Sequence, residues 1–179
     1  MKKVLYWGIL IILVALSLNT PVVRVLSISN RKNPSERIYS TDAVINGFVI
    51  SYTHSVNKGR IHDYYRVTPN YELEVYKTEF VSYGAGIPEA SESAGAEFHS
   101  GKNCYSLENL NRRIPELLMA VGVIADHSIT VGHSLDTQLG PPNFKEEIFL
   151  KDFFKVQTSL VFEARKVSLL KYVTSKKIN

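Results

Sequence analysis

Cysteine is nearly absent from this chain, because Cys104 is the single one among 179 residues. One thiol cannot form an internal disulfide, which excludes the small cross-linked domains common among exported proteins. Packing and backbone hydrogen bonds must therefore stabilise the fold. No cysteine follows the apolar N-terminal run, so a lipid-modified cysteine at that point is also excluded.

A strong excess of basic charge is also missing. The formal net charge is +4, and Lys2 and Lys3 supply half of it, so the remaining residues are close to electrically balanced. Nucleic-acid binding depends on a dense basic stripe along the protein surface. We therefore expect no nucleic-acid partner.

Long apolar runs are absent except near the start, where residues 4–23 carry no charge and follow two lysines. Twenty helical residues rise about 30 Å, which matches the hydrocarbon core of a bilayer. We predict that residues 1–23 are one N-terminal membrane anchor, with the rest of the chain outside the cytoplasm. A signal peptide cleaved near Ser17, which would leave a secreted or periplasmic protein, is the alternative. A helix buried in a soluble cytoplasmic protein is the third interpretation.

The rest of the chain divides by composition. Residues 24–42 contain a polar stretch with one proline, which predicts a linker. Residues 43–175 are long enough to bury a core and predict one extracytoplasmic domain rich in β-strands. Seven or more short extended segments, with no secure helix beyond the anchor, predict an all-β fold. An antiparallel sandwich or a barrel-like domain is the expected architecture.

Local patterns predict several details of this domain. Pro69 and Asn70 predict a tight turn. A slip in the alternation near Tyr76 predicts either a β-bulge or a change of the buried face. Residues 107–113 are interpreted as a loop or short helix. A final strand is predicted over residues 159–173.

His54 and Ser55, at the end of an alternating segment, are the sharpest candidates for chemistry. His54 fits either a hydrogen bond that fixes the neighbouring loop or a functional contact with a carboxylate or a metal. Adjacent strand residues point to opposite faces, so His54 is badly placed to activate Ser55. The chain also lacks the Gly-x-Ser-x-Gly elbow of serine hydrolases. Hydrolase chemistry is therefore the least favoured class.

Metal and cofactor motifs are also missing. The five histidines form no His-x-His or His-Glu-x-x-His pattern. A metal site assembled from different strands, such as His54, Asp63 and His127, stays open as an alternative. Gly84 and Gly86 lack the spacing of a phosphate cradle, so they predict either a tight turn or a close approach by a ligand. We expect no cofactor.

Several motifs of this chain occur together in one protein family. They are Tyr52-Thr53-His54-Ser55-Val56-Asn57-Lys58, then Asp63 and Tyr65-Arg66-Val67, then Tyr83-Gly84-Ala85-Gly86-Ile87-Pro88, and later Val121-Gly122 and Ala125-Asp126-His127. Through these motifs the chain resembles the domain-of-unknown-function family eighteen-fifty, small exported bacterial and archaeal proteins, over roughly residues 47–173. The departure is His62-Asp63, where the resemblance leads us to expect glutamates, so a role that needs the longer acid lacks support.

The resemblance implies a role beside a transporter. Genes of this family often lie next to those of TRAP transporters of the TAXI type, which are ion-driven and use an extracytoplasmic solute-binding protein. We therefore expect a non-enzymatic accessory protein that contacts the membrane through residues 4–23. Its partner would be the transporter's membrane subunit or its solute-binding protein. The alternative is a small-ligand or metal-binding module that delivers cargo to a membrane partner. The predicted binding residues are Tyr52, His54, Ser55, Asp63, Gly84, Gly86 and His127.

Overall fold

Two β-sheets form most of the structure. A computed structural model describes residues 2–56, 58–81, 95–101, 104–132 and 147–178. The elements within these ranges are α1 (Lys2–Asn19), β1 (Pro21–Asn30), β2 (Arg37–Ser40), α2 (Asp42–Asn46), β3 (Phe48–Thr53), β4 (Arg60–Val67), β5 (Leu73–Phe80), β6 (Glu97–Ser100), β7 (Tyr105–Ile114), β8 (Leu117–Ala120), β9 (Ser128–Val131), β10 (Ile148–Phe149), β11 (Ser159–Ser168), α3 (Leu169–Val173) and β12 (Lys176–Lys177).

The strand order defines a smaller and a larger sheet. The first sheet has the order β12-β2-β1-β11-β8, and the second has the order β10-β9-β3-β4-β5-β7-β6. The described pairings are antiparallel except that of β12 with β2. The prediction of a largely antiparallel β fold is therefore confirmed.

One apolar cluster joins the two sheets. Leu26 and Phe162 of the first sheet share it with Phe48, Ile50 and Ile129 of the second. Alternation along each strand sends these side chains to one face. The opposite face of the second sheet is called the outward face below.

The predicted linker is wrong. Residues 24–42 contain most of β1 and all of β2, and β1 lies between β2 and β11. Leu26 and Ile28 are at most 1% exposed, so this segment belongs to the core. The apolar residues of β1 follow directly on the N-terminal apolar run, so the sequence pattern shows no boundary between the two. The polar turn after Asn30 suggested a linker.

Two local predictions are confirmed and two are wrong. Pro69 and Asn70 form the expected turn, and the β5–β7 register shifts between Val75 and Lys77, beside Tyr76. Residues 107–113 belong to β7 instead of a loop or short helix, and the chain turns helical at α3 instead of extending to residue 173.

Backbone geometry explains both errors. In β7, Asn109 and Asn111 have φ values of 60° and 47°, which interrupt the strict alternation of a strand. At the end of β11, the Ser168 side chain accepts a hydrogen bond from Lys171 N–H and caps α3.

The N-terminal helix α1 covers residues 2–19. Among the described residues, none of the helices has the length and apolar character needed to cross a membrane. The anchor stays a prediction.

Candidate functional site

Three of the predicted binding residues come together where β3, β4 and β9 meet. Tyr52 lies near the end of β3, Asp63 lies in β4, and His127 directly precedes β9. Gly84 and Gly86 lie outside the described residues.

The β3–β4 register places Tyr52 and Asp63 on one face. Ile50 pairs with Asp63 and Tyr52 pairs with Ile61, so all four side chains point toward the shared core. Thr78 Oγ1 donates a hydrogen bond of 2.6 Å to Asp63 Oδ1. The Tyr52 hydroxyl donates to the same carboxyl group. Asp63 thus accepts hydrogen bonds from two neighbouring strands.

Burial is the largest influence on the pKa values of Asp63 and Tyr52. It raises the pKa of Asp63 to about 6, and the hydrogen bonds from Thr78 and Tyr52 oppose that rise only in part. Burial also raises the pKa of Tyr52 above its usual range, and the nearby Asp63 charge adds to the effect. Tyr52 is therefore protonated at neutral pH and acts as a donor.

His127 packs beside Tyr52, with the two ring centroids 5.8 Å apart. Gly122 N–H donates to His127 Nδ1 at 3.0 Å, so the neutral ring carries its proton on Nε2. Burial, followed by the Arg60 charge, lowers the pKa of His127. A Cβ at Gly122 would lie 2.9 Å from Ala125 Cβ and 3.1 Å from His127 Cε1. Glycine is therefore needed for the ring to approach this closely.

His54 and Ser55 lie in the turn between β3 and β4. Val56 N–H donates to His54 Nδ1 at 3.3 Å, and His54 N–H donates to the Gly59 carbonyl at 2.8 Å. Lys58 Nζ donates to the Ser55 carbonyl at 2.6 Å. These contacts are local to the turn and match the interpretation in which His54 fixes the neighbouring loop.

Sequence reasoning missed a buried cluster around Arg60, which we call the Arg60 cluster (Arg60, Ser128 and Glu147). Arg60 Nη2 donates to Glu147 Oε2 at 2.5 Å and to Ser128 Oγ at 2.7 Å. Ser128 Oγ donates in turn to Glu147 Oε2 at 2.6 Å. The Glu147 side chain is 0% exposed and that of Arg60 is 13% exposed. This ion pair is therefore almost fully desolvated.

The Arg60 cluster also holds the loop before β9. Arg60 Nη1 donates to the Asp126 carbonyl at 2.8 Å. Thr53 N–H donates to the Ala125 carbonyl at 2.7 Å, which ties the end of β3 to the same loop. The Arg60 cluster and Thr53 N–H thus hold the same loop, which carries His127, beside the end of β3, which carries Tyr52.

A row of buried polar residues crosses the outward face. Ser51 pairs with His62, His62 pairs with Glu79, and Glu79 pairs with Ser106 across four strands. Ser51 Oγ lies 2.8 Å from His62 Nδ1, and burial lowers the pKa of His62 to about 4. The ring is therefore neutral at pH 7. Nothing in the spacing of these four residues along the sequence indicates that they are buried together.

The geometry of these groups fits positioning better than bond chemistry. The Asp63 carboxyl and the His127 ring both accept hydrogen bonds from neighbouring strands or loops. Within the described part of the chain, no group of three or more His, Cys, Asp or Glu side chains is arranged to hold a metal ion.

Comparison with known proteins gives one family. Residues 48–136 match the family described as "Domain of unknown function (DUF1850)". The match includes Tyr52, Asp63 and His127, together with the turn that carries His54 and Ser55. Neither the curated proteins nor the solved structures contain a significant match to this chain.

The Arg60–Glu147 pair gives a stability prediction. Replacing Arg60 with Gln leaves Glu147 buried and uncompensated, which is expected to cost about 3–5 kcal/mol of unfolding free energy. Arg165→Gln is the matched control, because the Arg165–Glu163 pair is about one-third exposed. An exposed pair contributes at most about 1 kcal/mol. Urea denaturation measures both variants, and equal losses would contradict the assignment.

Asp63 and His62 give opposite pH dependences. The folded pKa of Asp63 lies above its ordinary value of 3.8, so its contribution is complete below pH 3.8 and is lost as pH rises through about 6. The folded pKa of His62 lies below 6.5, so its contribution is complete above pH 6.5 and is lost as pH falls through about 4. Each effect is about 3 kcal/mol at its limit.

Denaturation of Asp63→Asn and His62→Gln between pH 4 and 7 tests both signs. Relative to the parent protein, the variant changed at Asp63 gains stability as pH rises, because its amide cannot titrate. The variant changed at His62 gains relative stability as pH falls. Curves that stay parallel to the parent curve would show that neither group titrates as described.

Proposed function

Because the chain belongs to the family described as "Domain of unknown function (DUF1850)", whose description states no activity, we propose a binding role. The protein acts as a non-enzymatic extracytoplasmic accessory protein of a TRAP transporter of the TAXI type. It binds the transporter's membrane subunit or its solute-binding protein through one end of the β domain.

The observation that carries this proposal is a set of exposed apolar side chains. Val56, Val123 and Ile124 are 70%, 69% and 70% exposed, and we call them the loop-end surface. Val56 lies in the β3–β4 turn, and the other two lie in the loop before β9. Thr53 N–H and the Arg60 guanidinium tie these two loops together.

A fixed backbone makes such side chains suited to recognition. Apolar residues held outward by a buried ion pair lose little further freedom when a partner covers them. Contiguous exposed apolar patches with a polar rim mark protein interaction sites, and we propose that Val56, Val123 and Ile124 form such a patch. His54 and Lys58 in the β3–β4 turn supply polar groups beside Val56.

The N-terminal helix supports the membrane part of the proposal. In α1, Tyr6, Trp7, Ile11 and Leu16 are 71%, 66%, 66% and 62% exposed. We propose that this helix associates with the cell membrane or with the membrane subunit, with the β domain outside the cytoplasm. The alternative, in which the segment is a cleaved signal peptide, places the same domain in solution on that side.

A second candidate function is a small-ligand or metal-binding module that delivers cargo to a membrane partner. A cleft on the outward face, between β5, β6 and β7, favours the small-ligand form. The cleft is lined by residues of β5, β6 and β7, whereas the loop-end surface lies in the loops that follow β3 and precede β9. The two are therefore separate.

Co-purification from detergent tests the leading proposal. The tagged full chain is co-expressed with the membrane subunit and the solute-binding protein of a TAXI-type transporter. We expect the parent protein to retain at least one of them. The double variant Val123→Asp, Ile124→Asp should retain at least 10-fold less, because it places two charges in the contact.

Ile45→Asp is the matched control, because Ile45 is 77% exposed and precedes the opposite end of β3. Six strand residues separate the two ends by about 20 Å. The control should retain the transporter as the parent does. An equal loss in the control, or no transporter subunit retained by the parent, would contradict the proposal.

A further inference from the structure

The outward cleft has a volume of about 460 Å³, which lies in the range of small-molecule sites. It opens where β5, β7 and the edge strand β6 meet. Its lining includes Lys77, Glu79, His99, Cys104, Ser106 and Glu108.

One wall of the cleft is fixed by a charged network. Lys77 Nζ lies 2.7 Å from Glu79 Oε1 and 3.3 Å from Glu108 Oε1. The Tyr64 hydroxyl donates to Glu79 Oε2 at 2.6 Å. Both oxygens of Glu79 therefore have donors, and its side chain is only 4% exposed. Glu79 holds Lys77 in place and is not presented to a ligand.

Glu108 is the acidic group presented to the cleft. Its side chain is 37% exposed, and Ser106 Oγ donates to its Oε1 at 3.2 Å. Lys77 and Ser106 thus orient the carboxylate through one oxygen. The side chain keeps enough exposure for a ligand to reach the carboxylate.

The charge of the cleft selects the sign of its ligand. Among the described residues that line the cleft, Lys77 contributes one positive charge and Glu79 and Glu108 contribute two negative charges, and His99 lies 3.6 Å from the further acid Glu97. An anionic ligand would have to compete with two carboxylates for Lys77. A cation meets a described lining whose net charge is negative.

We infer that this cleft binds a small organic cation that carries a primary ammonium group and hydroxyl groups. The ammonium group pairs with the Glu108 carboxylate. The hydroxyl groups bond with Ser106 and with the His99 imidazole at the open side. This inference rests on the second candidate function and is independent of the loop-end surface.

Calorimetric titration of the full chain with three sugars tests the inference. Glucosamine carries the ammonium and hydroxyl groups, glucose replaces the ammonium by a hydroxyl, and glucuronate carries a negative charge. We expect glucosamine to bind at least 10-fold more tightly than glucose, and glucuronate not to bind. Glucose or glucuronate binding as tightly as glucosamine would overturn the inference, as would no binding of glucosamine.

Matched variants locate the site. Glu108→Gln should weaken glucosamine binding at least 10-fold, whereas Glu163→Gln should leave it unchanged, because Glu163 lies in β11 of the other sheet and pairs with Arg165. His99→Trp decides the matter if the Glu108 variant does not fold. His99 is an exposed residue of the cleft wall that pairs with Ser106 on the outward face, and the larger ring should block binding. Unchanged binding in the folded variants would overturn the inference.

Thermal melting separates a wrong ammonium assignment from a wrong second candidate function. Thermal melting with other solutes and with divalent metals reports any ligand of the folded state. A stabilising solute that is neutral or anionic would leave the candidate function standing and overturn the ammonium assignment.

Discussion

The buried ion pair between Arg60 and Glu147 is the interaction on which the arrangement of this end of the molecule depends. A desolvated charge is tolerated only with its partner and its hydrogen bonds in place. Arg60 meets much of that requirement by donating from its two terminal nitrogens to Glu147 Oε2, to Ser128 and to the carbonyl groups of the loop before β9. Arg60 Nε and Glu147 Oε1 are buried without a hydrogen-bond partner among the described residues. Together with the hydrogen bond from Thr53 N–H to Ala125 O, the pair holds the β3–β4 turn beside the loop before β9, and the loop-end surface is the outer side of these two loops.

The register between β3 and β4 gives the two faces of one sheet different chemistry. Toward the core, Tyr52 and Thr78 both donate to Asp63. On the outward face, Ser51 bonds to His62 within a row of paired polar residues. A shift of the pairing by one residue would exchange the two faces and bury a different set of groups. The β3–β4 register thus determines which ionisable groups are buried on each face. Burial in turn determines which of them, such as His62 and Tyr52, are neutral at pH 7.

Sequence reasoning recovered the features that depend on neighbouring residues. The turn at Pro69 and the irregularity beside Tyr76 are both visible in the local pattern. The place of β1 in the core was missed because its apolar residues continue a longer apolar run. The Arg60–Glu147 pair was missed for a different reason, since the two residues are 87 positions apart and only the folded sheet brings them together. Pairing over such distances leaves no periodic signal in a single sequence.

Native-state hydrogen exchange tests most directly the claim that the Arg60 cluster fixes both loops as one unit. The amides to follow are those of Thr53, Gly122 and Leu150, which donate to Ala125 O, His127 Nδ1 and His127 O. If the cluster fixes the loops together, these amides open with one common free energy. Protection of Thr53 alone, with the amides of Gly122 and Leu150 exchanging as fast as in an unfolded chain, would contradict the account.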